Sequence, residues 1–389
     1  MEKKVTGIQT FFSPNRILFG IDAIESVAAE VKQLGGRKVL IVTDPGVVEA
    51  GLVKAITALL DSDGIAFFVY DQVEPEPPAR IVEQCTRYLK DGNGDLIIGI
   101  GGGSSLDVAK GTSIMATNEG SLLSFCGVDL VPKRGLPKIL IPTTAGSGSE
   151  VTRVFAITDE ASNLKKAGSS IYALSDVAIV DPMMTLSMPP NITANTGIDA
   201  LVHAIEAYVS ARATPFSDIL AFEAITLISE NITQAFAKGE NIEARYHMSL
   251  AATISGLAFS SGGLGAVHAL CNSLGIEYHL PHGRTTAMML PHVMAFNLIG
   301  NPTKFAQIAG AMGEDVEGLS DMEAAPLALE AVTELLNQLK IPIRLRDYGI
   351  PQKDIPRLVD GAMNFSHLFV PNPRNATRED VEEIYRMAW

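Results

Sequence analysis

Asp199 and His203 stand four residues apart in Thr196–Ser210, a stretch whose apolar residues recur at helical spacing. On a helix both side chains leave the same face, one turn above the other. A carboxylate and an imidazole so placed can grip one divalent metal. A plainer reading also fits the pair. Gly197 sits where a helix would begin, so Asp199 would favour the dipole there and His203 would be a core residue. Four of the seven histidines fall within Ala266–His292: His268, His279, His282 and His292. Pro281 and Gly283 bracket His282, which fits an imidazole aimed from a bend. His268 follows the small residues Gly262-Gly263-Leu264-Gly265-Ala266, which let helices approach closely. His292, after Pro291 at the start of an apolar helix, reads as structural, as does His247, and His367 is left without a role.

A second kind of chemistry lies in the first half. The apolar run Asp95–Ile100 leads into Gly101-Gly102-Gly103-Ser104-Ser105-Leu106-Asp107-Val108-Ala109-Lys110. Glycines at a strand-to-helix turn let backbone approach a ligand, and the helix that follows points free N–H groups at it. A pyrophosphate suits that geometry best; a tight turn with Ser104 as an ordinary cap is the alternative. The run is not a G-x-G-x-x-G fingerprint and does not follow the first strand. Asp44, after the strand Lys38–Thr43, can accept from a ribose 2′-hydroxyl and would repel a 2′-phosphate, which favours NAD over NADP. As a turn residue before Pro45 it would need no ligand. The loop Pro142-Thr143-Thr144-Ala145-Gly146-Ser147-Gly148-Ser149-Glu150 offers hydroxyls and amides from another strand end.

These residues need a scaffold. Apolar strands at Lys38–Thr43, Ile65–Tyr70, Asp95–Ile100 and Lys138–Ile141 alternate with helical patterns at Ile21–Leu34, Val47–Leu60 and Pro78–Lys90. Near-continuous apolar strands between helices imply a parallel sheet covered on both faces. Strands at Val151–Thr158 and Val177–Val180 are expected to close that half. From about Leu186 the period is helical. The expected fold is therefore α/β plus all-α: a nucleotide-binding parallel-sheet domain over 1–184 and a helical metal-binding domain over 185–389, with the site in the cleft between them.

The 389 residues exceed one ordinary core, and 47% hydrophobic content supports a large one. A net charge of −14 argues against nucleic acid or anionic membrane as partners. No run approaches the roughly 20 apolar residues of a membrane span, and no signal peptide is evident at the start. Cys85, Cys126 and Cys271 are odd in number and widely spaced, which suggests a reducing, cytoplasmic setting.

Together, Gly101–Ser104 with Asp107 and Lys110, Pro142–Ser147, Gly197–Glu206 and Leu280-Pro281-His282-Gly283 resemble the iron-containing (group III) alcohol dehydrogenases. The resemblance runs from Phe12 and Pro14 to Asn372-Pro373-Arg374. It implies metal ligands at Asp199, His203, His268 and His282. It implies cofactor contacts from Asp44, Gly101, Gly102, Gly103, Ser104, Asp107, Thr143, Thr144, Ser147, Thr152 and Lys165. Several members carry a proton-relaying histidine four residues after the third ligand. Here Asn272 stands there, and His279 is the candidate substitute.

The implied reaction is hydride transfer between NAD and a short primary alcohol or its aldehyde, with Fe²⁺, or Zn²⁺ or another divalent ion, activating the oxygen. Phe155, Phe259 and the small residues near His268 suggest a compact, partly apolar pocket. Oxidation of a glycerol-type polyol or a diol is the nearest alternative. A dehydroquinate-synthase-like lyase would need basic residues for a phosphorylated substrate, and the metal-site segments offer chiefly Arg284. Members of the family are commonly homodimers or larger assemblies.

Overall fold

The computed structural model describes residues 7–162 and 164–389. Its first half holds nine strands: β1 (Arg16–Phe19), β2 (Lys38–Val42), β3 (Ala66–Tyr70), β4 (Leu96–Gly101), β5 (Gly127–Val128), β6 (Lys138–Pro142), β7 (Val154–Asp159), β8 (Leu164–Ser169) and β9 (Val177–Val180). Between them lie α1 (Val27–Gln33), α2 (Pro45–Glu49), α3 (Leu52–Ser62), α4 (Ala79–Asp91) and α5 (Gly103–Thr117). Six strands form one parallel sheet in the order β1-β9-β6-β4-β2-β3. Alternate residues serve two cores. Leu40, Val42, Ile97 and Leu140 pack on one face, and Val39, Ile41, Ile98 and Ile139 on the other. Burial on both faces explains why these strands are apolar throughout.

Register decides where the loops emerge. Val42 pairs with Gly99, and Gly101 with Pro142. The segments starting at Thr43, Gly102 and Thr143 therefore leave one carboxyl edge side by side, where open α/β sheets bind ligands.

Four expectations need correction. The stretch expected as one helix, Val47–Leu60, is two, broken at Gly51, whose φ of 78° lies in the left-handed region. The strand expected at Val151–Thr158 begins at Val154 and does not join the main sheet. It forms an antiparallel pair with β8, unforeseen from the sequence, and β5 completes a three-stranded sheet. Polar residues on the hairpin, Lys165 and Lys166 among them, mask the apolar signal that marked the buried strands.

The second half comprises α6 (Pro190–Val209), α7 (Pro215–Ala237), α8 (Ile242–Gly262), α9 (Ala266–Tyr278), α10 (His282–Asn297), α11 (Pro302–Ala311), α12 (Asp321–Gln338), α13 (Ile355–Met363) and α14 (Arg378–Ala388). The third correction concerns α6. It starts at Pro190, a residue suited to a first helical position, so Gly197 and Asp199 lie mid-helix and not in the first turn. A Cβ on Gly197 would come 2.6 Å from Ile232 Cδ1 and 2.9 Å from Met248 Cε, so the glycine allows the close packing of α6 on α7 and α8. His292 lies inside α10 rather than at its start; it is buried, with its Nε2 3.0 Å from the Ile343 carbonyl, the structural role expected of it. Among the described residues no single helix is long and apolar enough to cross a membrane.

Candidate active site

Asp199 and His203 lie on the buried face of α6, His268 is in the first turn of α9, and His282 is the first residue of α10. Close backbone approach brings these helices together. A Cβ on Gly283 would stand 2.4 Å from the Asn195 carbonyl oxygen, so α10 begins against the backbone of α6. One ligand atom from each of Asp199, His268 and His282 falls within 4.8 Å of the others. His203 borders this trio without belonging to it. Its Nε2 is 3.9 Å from Asp199 Oδ2, and its ring stacks on His268 at 5.0 Å.

Glu206, one turn beyond His203, organises the cluster. Its carboxylate accepts from the Gly265 and Val267 amides at 2.8 and 2.7 Å and lies 2.6 Å from His268 Nδ1. A carboxylate there places the proton on Nδ1, and Nε2 is then the bare lone pair, buried with no protein partner. Asp199 Oδ1 accepts from Thr286 Oγ1 at 3.1 Å and lies 3.8 Å from His282 Nε2. Burial lowers the His203 pKa to about 4, against the pull of Asp199. Burial and then the Lys165 charge lower that of His282 to about 3. Neutral imidazoles, an unpartnered buried nitrogen and a buried carboxylate are the donor set a divalent transition metal requires.

Opposite this cluster, the two small-residue loops face each other. Gly101 has φ 147°, and a Cβ on it would lie 2.7 Å from Ser105 Oγ and 3.1 Å from Asp44 Oδ2. Gly102 approaches Thr144, and Gly103 approaches Ser147. Ser104 sits half-buried in the first turn of the fifteen-residue α5, beside its free amides. Asp44 is the N-cap of α2, accepting from Val47 N at 3.1 Å and from Ser105 Oγ at 2.9 Å. The turn role and the position beside the glycine loop thus coexist.

Other expected cofactor residues brace the loops. The Thr143 amide donates to the Gly101 carbonyl at 3.0 Å. Asp107 accepts from Ser149 Oγ at 2.6 Å and from the Ala156 amide at 2.9 Å. Fully buried Lys110 donates to Ser149 Oγ, Thr152 Oγ1 and the Val154 carbonyl. Lys165 on β8 pairs with Glu76 at 2.7 Å. The second loop also touches the helical half. A Cβ on Gly146 would lie 2.6 Å from Thr196 Cβ, and one on Gly148 2.6 Å from Gly256 Cα. That wedge sets the second small-residue loop against α6 and α8.

Two residues fall elsewhere than expected. Phe155 is fully buried in the sheet core beside Gly168, whereas Phe259 lies 4.4 Å from the His203 ring. His279 is exposed at the C-cap of α9, with φ 53°, outside the ligand trio. Glu206, Thr286 and Glu76 escaped the sequence reading. For Glu206 a signal existed: it is three residues after His203 and seven after Asp199, on the same helical face.

Two family models cover most of the chain: iron-containing alcohol dehydrogenase over residues 14–182, and the C-terminal Fe-containing alcohol dehydrogenase family over 193–389. The chain is 41% identical over 381 residues to 1,3-propanediol dehydrogenase of Citrobacter freundii, spanning 97% of this chain and 98% of that protein. A crystal structure of 1,3-propanediol oxidoreductase superposes with a TM-score of 0.96 at 39% identity, over 98% of this chain and all of that one. Sulfoacetaldehyde reductase from Bifidobacterium kashiwanohense, solved with NAD⁺, superposes with a TM-score of 0.88 at 27% identity, over 98% and 99% of the two chains.

Proposed function

The chain belongs to the iron-containing alcohol dehydrogenase family, and from that premise we propose that Asp199, His203, His268 and His282 hold its metal. It is an oxidoreductase of the NAD- and iron-dependent kind that interconverts alcohols and aldehydes. We assign residues 1–184 to nucleotide binding and 185–389 to metal binding, with the substrate between them. The observation that carries the reading is the buried His268 Nε2, bare because Glu206 claims Nδ1, in a residue clustered with Asp199 and His282.

When bound, the ion supplies Lewis-acid chemistry, acidifying a hydroxyl in one direction and polarising a carbonyl in the other. Zn²⁺ satisfies the same donors. The protein's share is positioning. The trio of Asp199, His268 and His282, with His203 beside them, fixes where the substrate oxygen sits. The glycine turn with Ser104, and Thr143, Thr144 and Ser147 on the facing loop, hold the pyrophosphate and ribose. Lys165 contributes from β8, while Asp107 and Thr152 keep the loops in register. The Asp44 carboxylate selects NAD by accepting from the 2′-hydroxyl and repelling a 2′-phosphate. His279 at the rim is assigned the proton exchange with solvent that Asn272 cannot perform. A pH–rate profile left unaltered in His279→Ala removes that assignment.

The substrate class is a short primary alcohol or diol and the corresponding aldehyde. A panel of alcohols and aldehydes with NADH and NADPH on metal-reconstituted protein tests it. Oxidation or reduction of short C2–C4 substrates with NAD(H) is expected, and no turnover across the panel contradicts it. The three free cysteines and the exposed apolar residues Phe216, Ile219 and Phe222 on α7 support a cytoplasmic homodimer or larger homo-oligomer, testable by light scattering.

A further inference from the structure

Glu76 stands in the turn Glu74-Pro75-Glu76-Pro77-Pro78, before α4, with the left-handed φ of 48° that few non-glycine residues adopt. The turn is pinned to the small sheet. Thr158 on β7 donates its amide to the Pro77 carbonyl at 2.9 Å and its hydroxyl to the Glu76 carbonyl at 3.0 Å. Thr158 is also the cross-strand partner of Lys165. One threonine therefore seats the turn so that the Glu76 carboxylate meets the Lys165 ammonium at 2.7 Å. β8 in turn packs against α9, the helix carrying His268 and Cys271. The electrostatic neighbours agree with that placement. Lys165 feels Asp107 from the cradle and Cys271 from α9, while Glu76, whose pKa is lowered chiefly by Lys165, also feels His282 and Asp199. The pair thus lies on the small sheet beside α9, within electrostatic reach of Asp107 on one side and of Asp199 and His282 on the other. The Glu76 side chain is 46% exposed, so its carboxylate keeps acceptor capacity toward whatever enters.

We propose that Glu76 is a specificity-determining residue that selects uncharged, hydroxyl-bearing substrates and rejects anionic ones at the cleft. Two effects act together. Glu76 neutralises Lys165, a cation that would otherwise attract a carboxylate or sulfonate, and its remaining acceptor capacity suits a second hydroxyl of a diol. A buried or half-buried carboxylate rejects a like charge more strongly than it attracts a neutral group, so exclusion is the larger effect. This inference rests on the alcohol dehydrogenase reading and adds the substrate's charge to it.

The test compares two molecules of equal length, 1,3-propanediol and 3-hydroxypropionate, which differ in a terminal hydroxymethyl against a carboxylate. Their dissociation constants are measured by calorimetry on metal- and NADH-loaded protein, where neither hydroxyl compound can be oxidised, and kcat/KM for each is measured separately with NAD. Wild-type protein is expected to favour the diol, and Glu76→Gln, which keeps size and one acceptor, to narrow the binding ratio about tenfold, the factor that 1.36 kcal/mol represents. Glu76→Lys should narrow or invert it further. A ratio unchanged in both variants, or both ligands weakened by the same factor, overturns the proposal and leaves Glu76 as a brace for Lys165. Binding is read without turnover. A protein that binds the ligands with the expected ratio but transfers no hydride therefore counts against the enzymatic reading and not against this one.

Discussion

The two walls of the cleft are built on opposite principles. The sheet-side wall offers backbone and small side chains on loops: Gly101, Gly102, Gly103, Thr144 and Ser147, close together because little projects from them. The helical wall offers large polar side chains on rigid, buried elements, each oriented by another. Glu206 fixes His268, and Thr286 donates to Asp199. A phosphate is recognised by many weak, convergent N–H groups, so its site needs empty space and backbone freedom. A metal is recognised by a few strong donors, so its site needs side chains locked by outer-shell partners. Substitutions should therefore fail differently on the two walls: by loss of donor chemistry on one, by loss of space on the other.

The largest effect is expected on the helical wall. His282→Ala should abolish bound metal and turnover while leaving the circular dichroism spectrum and cooperative unfolding intact. Metal content by elemental analysis checks it. Next comes Glu206→Gln. A glutamine has one acceptor oxygen for the three donors that Glu206 now serves, so metal affinity should fall about 10–100-fold with the four ligands untouched. Unchanged affinity in chelator competition would break the proposed contrast.

On the sheet side, Gly148→Ala should act through stability. Its φ is 59°, and the added Cβ would meet Gly256 Cα at 2.6 Å. A loss of about 1–3 kcal/mol in urea unfolding is expected, the usual cost of forcing extra volume into a packed site. Asp44→Ser sharpens the comparison further, because serine can still cap α2 while the charge is gone. The NADP/NAD ratio of kcat/KM should rise on the order of tenfold with little change in Tm, as relieved like-charge repulsion would give.

A separate effect is expected in the pH dependence of the metal-free protein. His203 and His282 have folded pKa values near 4 and 3, below the roughly 6.5 of an unfolded chain. Below about pH 6.5 the unfolded state takes up protons that the native state refuses, so stability falls as pH drops from there toward 4. Above about pH 7 these two groups contribute no slope. Urea midpoints across that range report it.

Much of this contrast was legible in the sequence. Runs such as Lys-Val-Leu-Ile-Val and Leu-Ile-Ile-Gly-Ile announce strands buried on both faces, and Gly101-Gly102-Gly103 announces a turn against a ligand. Asp199 and His203 were legible as a pair because a spacing of four converts directly into a shared helical face, whereas His268 and His282 were singled out as ligands through the family resemblance. What stayed hidden depends on contacts distant in sequence. The β7–β8 hairpin carries no apolar alternation, and the tie of Glu206 to His268 crosses 62 positions. The pairing of Glu76 with Lys165 needs the Thr158 clamp, which no local pattern encodes. The start of α6 was misplaced because Gly197 looks like a boundary until Ile232 and Met248 are seen against it.

The central claim is that a metal held by the helical wall and NAD held by the sheet wall act on one substrate between them. Metal-reconstituted protein given propanal and NADH deuterated at the transferring position of the nicotinamide tests it directly. The account predicts about one divalent ion per chain and deuterium at the carbinol carbon of the product, both lost in His268→Ala. Undiminished turnover in chelator-treated, metal-free protein, or product carrying solvent hydrogen at that carbon, contradicts it.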